Sequence, residues 1–172
     1  MKQKNIDQAV IGLIVPTCLK YAPYVQYYID VLNKKSANYR ILSWNKQGMT
    51  ENNVDFSFDF QVQDADRKRM AIGYIKFIRA CKKYIKGNNI NKLIVLTAAP
   101  AFFMGVQYLK RFAGNYILDI RDDSPFIRKF PKAFQKICNM AQSVVVSSHN
   151  FTPWTCRDTI LCHNAEDRKS VV

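Results

Sequence analysis

Apolar positions along the chain switch repeatedly between two periods. Residues 9–15 form a near-continuous apolar run, as expected of a strand buried on both faces. Tyr24, Tyr27, Tyr28, Val31 and Leu32 then recur at helical spacing behind Pro23, a favourable first helical residue. Residues 39–44 read as a second strand. Residues 54–60 alternate strictly, which puts one face in the core and one in water and suits a strand near a sheet edge. Asp66 opens a long helix in which Met70, Tyr74, Phe77, Ile78, Cys81 and Tyr84 share a face. Gly87 is expected to supply the left-handed residue that ends it.

The second half repeats the scheme. Residues 92–97 predict a strand, and Pro100 predicts the start of a helix through Phe102, Phe103, Val106 and Leu109. Tyr116–Ile120 is a strand, residues 132–140 a helix and Ser143–Val146 a strand. A short element follows Phe151, and residues 159–162 form a last strand. Alternation of this kind predicts an α/β fold: an open, mostly parallel, Rossmann-like sheet of six or seven strands with helices on both faces. The first strand belongs in its interior.

Two of these strands run straight into polar clusters. One ends Asp119-Ile120-Arg121-Asp122-Asp123, the other Ser147-Ser148-His149-Asn150. Parallel strands deliver their exit loops to one edge, where ligands of open α/β sheets bind. Asp119, Arg121 and Asp122 are therefore expected beside Pro16-Thr17 and Ser147-Ser148 on one open concave surface. Arg121 can grip a phosphate or carboxylate with two hydrogen bonds, and Asp119 or Asp122 can orient sugar hydroxyls or the arginine itself. The same residues can equally make a structural ion-pair network, with Asp122 or Ser124 capping the segment after Pro125, and Ser148 or Asn150 capping the turn after it. The residue pattern leaves both readings open.

Composition narrows the class. At 172 residues and 48% hydrophobic content the chain fits one globular domain. The longest apolar stretch, residues 93–106, is shorter than the roughly 20 residues of a membrane span and contains Pro100. Five scattered cysteines without a Cys-x-x-Cys pair suggest a reducing, cytoplasmic setting, with Cys81 and Cys138 as core filler. A net charge of +13 admits nucleic acid, an anionic membrane or an acidic small substrate without choosing among them. In residues 126–136, Phe126, Phe130 and Phe134 interleave with Arg128, Lys129, Lys132 and Lys136. Such a segment can lie in a membrane interface, face a nucleic acid, or be an ordinary amphipathic helix.

Several chemistries lack their sequence requirements. The loop after the first strand, Val15-Pro16-Thr17-Cys18, has no glycines to admit a pyrophosphate, so NAD or FAD binding of the usual kind is not expected. There is no Walker phosphate loop and no Gly-x-Ser-x-Gly nucleophile turn. His149 and His163 lack a Glu-x-x-His setting. Neither a cofactor nor a metal is expected, and no catalytic residue is identified.

The order of the motifs resembles the amino-terminal, acceptor-side domain of GT-B glycosyltransferases of the family 4 type. The matching pieces are a first strand without a dinucleotide fingerprint, Asp119-Ile120-Arg121-Asp122, Val146-Ser147-Ser148-His149-Asn150-Phe151, and the pair His163-Asn164 where the chain leaves the first domain. The Gly-rich turn that many members carry after the first strand is replaced here by Pro16-Thr17. The resemblance implies that residues 1–164 are the acceptor-binding half of a retaining enzyme that uses a nucleotide-sugar donor as substrate, in surface polysaccharide or lipid-linked glycan synthesis. It implies substrate contacts at Pro16, Thr17, Asp119, Arg121, Asp122, Ser147 and Ser148, and interdomain contacts at Phe151, Trp154, His163 and Asn164. Hydrophobic residues near Phe151 and Trp154 are expected to be exposed there. Residues 165–172 are expected to be an interdomain tail without a donor domain behind it, leaving the chain inactive unless a separate donor-binding chain completes it. Partners implied are a glycan or lipid-linked acceptor and peripheral contact with the anionic inner face of a membrane. The competing expectation, a basic nucleic-acid-binding module without enzymatic activity, has no recognised binding motif to support it.

Overall fold

The structure is a computed structural model and describes residues 9–63 and 66–162. Its strands are β1 (Val10–Val15), β2 (Asn38–Asn45), β3 (Phe56–Asp59), β4 (Lys92–Leu96), β5 (Tyr116–Ile120), β6 (Ser143–Val146) and β7 (Ile160–Leu161). They form a single sheet in the order β3-β2-β1-β4-β5-β6-β7. Every neighbouring pair is parallel. The apolar run of β1 lies inside the sheet, and the alternating β3 forms an edge, as their patterns predict. The helices are α1 (Val25–Lys34), α2 (Arg67–Gly87), α3 (Ala98–Met104), α4 (Val106–Leu109), α5 (Pro125–Lys129), α6 (Pro131–Met140) and α7 (Thr152–Thr155). Among the described residues no helix is long and apolar enough to cross a membrane.

Right-handed crossovers decide which face each helix covers. The chain moves one way from β1 to β3 and the other way from β3 to β7, so the helices fall on opposite faces. On one face, among the described residues, α1 is the helix that contributes, setting Val25 and Leu32 against Leu13, Val15, Ile41, Ile94 and Leu96. On the other face α2, α3 and α6 cover Ile14, Leu42, Trp44, Val95, Leu118, Ile120, Val144 and Val146. Beyond α1 the described residues leave on the first face an apolar groove of about 550 Å³, floored by Ile94, Ile117, Val145 and Ile160 and walled by Tyr27 and Val31.

Packing is tightest where α2 crosses the β2 end of the sheet. Trp44 is fully buried, and its indole N–H donates to the Phe60 carbonyl at 2.9 Å. Phe77 stacks on its ring at 5.7 Å between centroids. A Cβ at Gly73 would sit 2.4 Å from the indole Cζ2, so only glycine lets the helix backbone come this close.

Three local expectations need correction. Gly87 stays within α2, and Asn89 takes the left-handed conformation at φ 52° instead. Asn can do this because its short polar side chain tolerates the region. The helix predicted from Pro100 begins at Ala98 and breaks at Gly105, whose φ of 80° a non-glycine residue would resist. The aromatic-basic segment of residues 126–136 is two helices divided at Phe130-Pro131, with Ile127, Phe134 and Ile137 buried against the sheet.

Candidate functional site at the carboxyl edge of the sheet

Strand register places Asp119 in a defined row. Leu96 pairs with Asp119, and Asp119 with Val145, so the carboxylate sits one residue before β5 leaves the sheet. The Asp119–Asp122 segment, Pro16-Thr17 and Ser147-Ser148 thus all exit at the same edge. Alternation along β5 turns Asp119 to the α1 side, and Arg121, two residues on, follows it.

There the two charges meet. Arg121 donates from Nε to Asp119 Oδ2 at 2.8 Å, and its Nη2 lies 2.7 Å from the same oxygen. The Tyr28 hydroxyl on α1 donates to that oxygen at 2.7 Å. Arg121 Nη1 reaches the Cys162 carbonyl after β7 at 3.0 Å, and the guanidinium lies 4.8 Å from the Tyr24 ring centroid. The pair therefore ties β5 to α1 and to the end of β7. Asp119 is 0% exposed and Arg121 4% exposed. The Ser147 hydroxyl, also buried, donates to the Arg121 carbonyl at 2.9 Å.

Electrostatics follow from this burial. Desolvation pushes the Asp119 carboxyl above its ordinary pKa, against the lowering pull of Arg121 and the Tyr28 hydroxyl. Burial also opposes the Arg121 charge, but the Asp119 carboxylate and the Cys162 carbonyl outweigh it and raise the guanidinium above its usual value. Burial, then the charges of Asp119 and Asp122, hold the Tyr24 phenol up at about 12. The Asp122 charge adds to the upward shift of both Tyr24 and Asp119, and its side chain is exposed. Asp119 Oδ1 is buried with no hydrogen-bond partner among the described residues, so one acceptor of this carboxylate remains unused.

Backbone strain marks the same edge. Thr97, the first residue after β4, has φ 67° and ψ 159°, a region that non-glycine residues occupy at a cost of about 1–3 kcal/mol. Its N–H donates to the Asp119 carbonyl at 2.7 Å.

A second polar cluster closes the exits of β1 and β2. Glu51 accepts from the Leu19 N–H at 2.7 Å and from the Ser43 hydroxyl at 2.8 Å. The Asn45 side-chain amide donates to the Met49 carbonyl at 2.8 Å and to Asp59 at 2.7 Å. The buried Cys18 thiol lies 3.2 Å from the side-chain oxygens of both Asn45 and Gln47. Burial, then the charge of Glu51, raises that thiol's pKa. Beyond this cluster a cavity of about 760 Å³ is lined by Lys46, Gln47, Gln61, Gln63, Asp66 and Arg69.

Of the predicted site residues, the structure joins Asp119, Arg121 and Ser147 by direct hydrogen bonds. Pro16 is buried, Thr17 and Ser148 are half-buried, and Asp122 is exposed. Ser148 accepts from the Asn150 N–H at 3.3 Å, the capping role. Phe151 and Trp154 are half-buried, packed against each other at 5.0 Å and against the core. Arg157 donates to the carbonyls of Cys138 and Ala141 and ties this loop to the end of α6. His163, Asn164 and residues 165–172 lie outside the described residues. Among the described residues no group of three or more His, Cys, Asp or Glu side chains is arranged to hold a metal ion. Sequence reading missed Tyr24, Tyr28, Glu51 and Asn45 as parts of this edge, since their partners lie far away in the chain.

No protein-family model matches the chain, and no curated protein does. Among solved structures it is similar to an alpha-glucosyltransferase in complex with UDP and a 13-mer DNA containing a central A:G mismatch. That similarity has 14% identity and a TM-score of 0.42, over 84% of this chain and 39% of that one. It is also similar to an alpha-glucosyltransferase in complex with UDP-glucose and DNA containing an abasic site, at 12% identity and a TM-score of 0.43, over 90% and 41%. The chain thus spans about two fifths of those chains. A likeness of this extent says nothing of reaction or ligand.

Proposed function

We propose that the carboxyl edge of this sheet is the acceptor-binding side of a retaining, nucleotide-sugar-dependent glycosyltransferase acting on a surface-polysaccharide or lipid-linked glycan. The observation that supports this reading is the division of labour among the motif residues. Asp119, Arg121 and Ser147 are buried and joined by hydrogen bonds, while Thr17, Asp122 and Ser148, on loops leaving the same sheet edge, are at least partly exposed and carry oxygen atoms that suit sugar hydroxyls. In this reading Asp122 accepts from acceptor hydroxyls, Thr17 and Ser148 exchange hydrogen bonds with them, and the buried pair fixes the loops that carry all three. Arg121 is engaged by Asp119 and by the Cys162 carbonyl, so the donor's phosphates take their positive charge from a separate donor-binding domain. Transfer then requires that domain.

A glycan array probed with the purified chain tests the acceptor side. Retention of a discrete set of oligosaccharides, lost in Asp122→Ala without a change in melting temperature, is the expected result. Retention that Asp122→Ala and Ser148→Ala leave untouched, or no retention of any glycan, would overturn the assignment.

A further inference from the structure

The chain's positive charge is concentrated in one stretch. Residues 67–118 hold eleven Lys and Arg and no Asp or Glu, so they carry +11 of the net +13. Eight of those cations lie on α2. Phe77, Ile78, Cys81 and Ile85 of α2 are buried in the core, which leaves its opposite face to solvent. Every exposed side chain of the helix is either a cation (Arg67, Lys68, Arg69, Lys76, Arg79, Lys83, Lys86) or an isoleucine (Ile72, Ile75).

This composition works against the helix itself. Arg79–Lys83 and Lys82–Lys86 are like charges at i, i+4, which destabilise a helix. Arg67, Lys68 and Arg69 occupy the first turn, where cations oppose the macrodipole. Ile72 is 50% exposed and Ile75 42% exposed, and helical spacing puts Ile72 in the middle of the cationic face, between Lys68, Lys76 and Arg79. At the far end of the helix Lys82, Lys83, Lys86, Arg111 and Tyr108 line a cavity of about 540 Å³, wide enough for an anionic headgroup.

We infer that the outer face of α2 docks the protein on an anionic phospholipid bilayer, with Lys76, Arg79 and Lys83 at the headgroups and Ile72 and Ile75 inserted between them. Cationic side chains drawn to the surface potential, combined with apolar insertion, are what a peripheral contact requires. A phosphodiester backbone would satisfy the cations but leave two isoleucines desolvated against charge, and this face exposes no aromatic ring on which bases could stack. The inference does not rest on the glycan reading of the carboxyl edge.

Flotation with vesicles of phosphatidylcholine alone and of phosphatidylcholine mixed with phosphatidylglycerol tests it, alongside anisotropy with single-stranded DNA, duplex DNA and RNA. Binding to the anionic vesicles should exceed binding to neutral ones at least tenfold and weaken with salt. The combined Lys76→Glu, Arg79→Glu, Lys83→Glu variant should lose at least tenfold of it, with Arg79→Gln, Lys83→Gln as a milder variant if the first misfolds by circular dichroism. Ile72→Ser, Ile75→Ser should lower vesicle affinity severalfold at unchanged net charge. Equal binding to both vesicle types, or vesicle binding that the charge variants retain, would overturn the inference. Oligonucleotide binding tighter than vesicle binding and indifferent to the isoleucine changes would do so too, and would assign the face to nucleic acid.

Discussion

At the carboxyl edge of the sheet Arg121 lies in the interior against Asp119, whereas on the outer face of α2 the cations stand in solvent within a stretch that contains no acid. The first arrangement is self-sufficient: charge, hydrogen bonds and burial close on one another within the chain. The second is complementary to something outside it. A charge held by its own fold positions other groups, and a like-charged surface that weakens its own helix is explained by a partner of opposite sign.

The largest effect should come from breaking the buried pair. Arg121→Ala leaves Asp119 uncompensated in the interior and should lower unfolding stability by about 3–5 kcal/mol in urea titrations. Arg79→Ala on α2 should change it by less than about 0.5 kcal/mol. Comparable losses at the two positions would erase the distinction.

Alkaline titration sharpens the edge further. Tyr24 is raised from its usual 10.0 to about 12 in the folded chain, so its neutral form is favoured by folding. Its contribution is fully present below pH 10 and is lost as pH rises through about 12, because the unfolded phenol ionises first. Tyr24→Phe should flatten the stability profile between those values, and tyrosinate absorbance should show one phenol fewer titrating near pH 12.

Thr97 reports on strain at the same edge. Thr97→Gly frees the residue from a costly conformation while adding chain entropy to the unfolded state, for a net gain of about 1 kcal/mol. The gain should appear as a higher denaturant midpoint at unchanged slope. The smallest effect belongs to α2. Arg79→Glu replaces repulsion with an i, i+4 attraction to Lys83 and should stabilise the fold by about 0.5 kcal/mol, even as it removes a docking charge.

The sheet was readable from the chain because its signals are local. The apolar run of β1, the alternation before Asp59 and the charged stop after Ile120 each fix an element within a few residues, and right-handed connection then fixes the edge. The site was only partly readable. The Asp119 to Tyr28 bond spans 91 positions and the Arg121 to Cys162 bond 41, so no spacing rule could choose between a ligand-gripping arginine and an internally paired one. Burial decided it. The loop after Phe151 is held in a similar long-range way, since Arg157 ties it to α6 through two carbonyls that sequence does not reveal. The acid-free stretch of residues 67–118, by contrast, is plain in the sequence once charge is read by position rather than as a total.

If the carboxyl edge receives the acceptor, as proposed, the donor's phosphates need cations from elsewhere. Isothermal titration of the chain with a panel of nucleotide-sugars addresses this most directly. The account expects no binding in the micromolar range, with the fold intact by circular dichroism. Micromolar affinity for any nucleotide-sugar, abolished by Arg121→Ala in a variant that remains folded, would contradict it and make this edge the donor side.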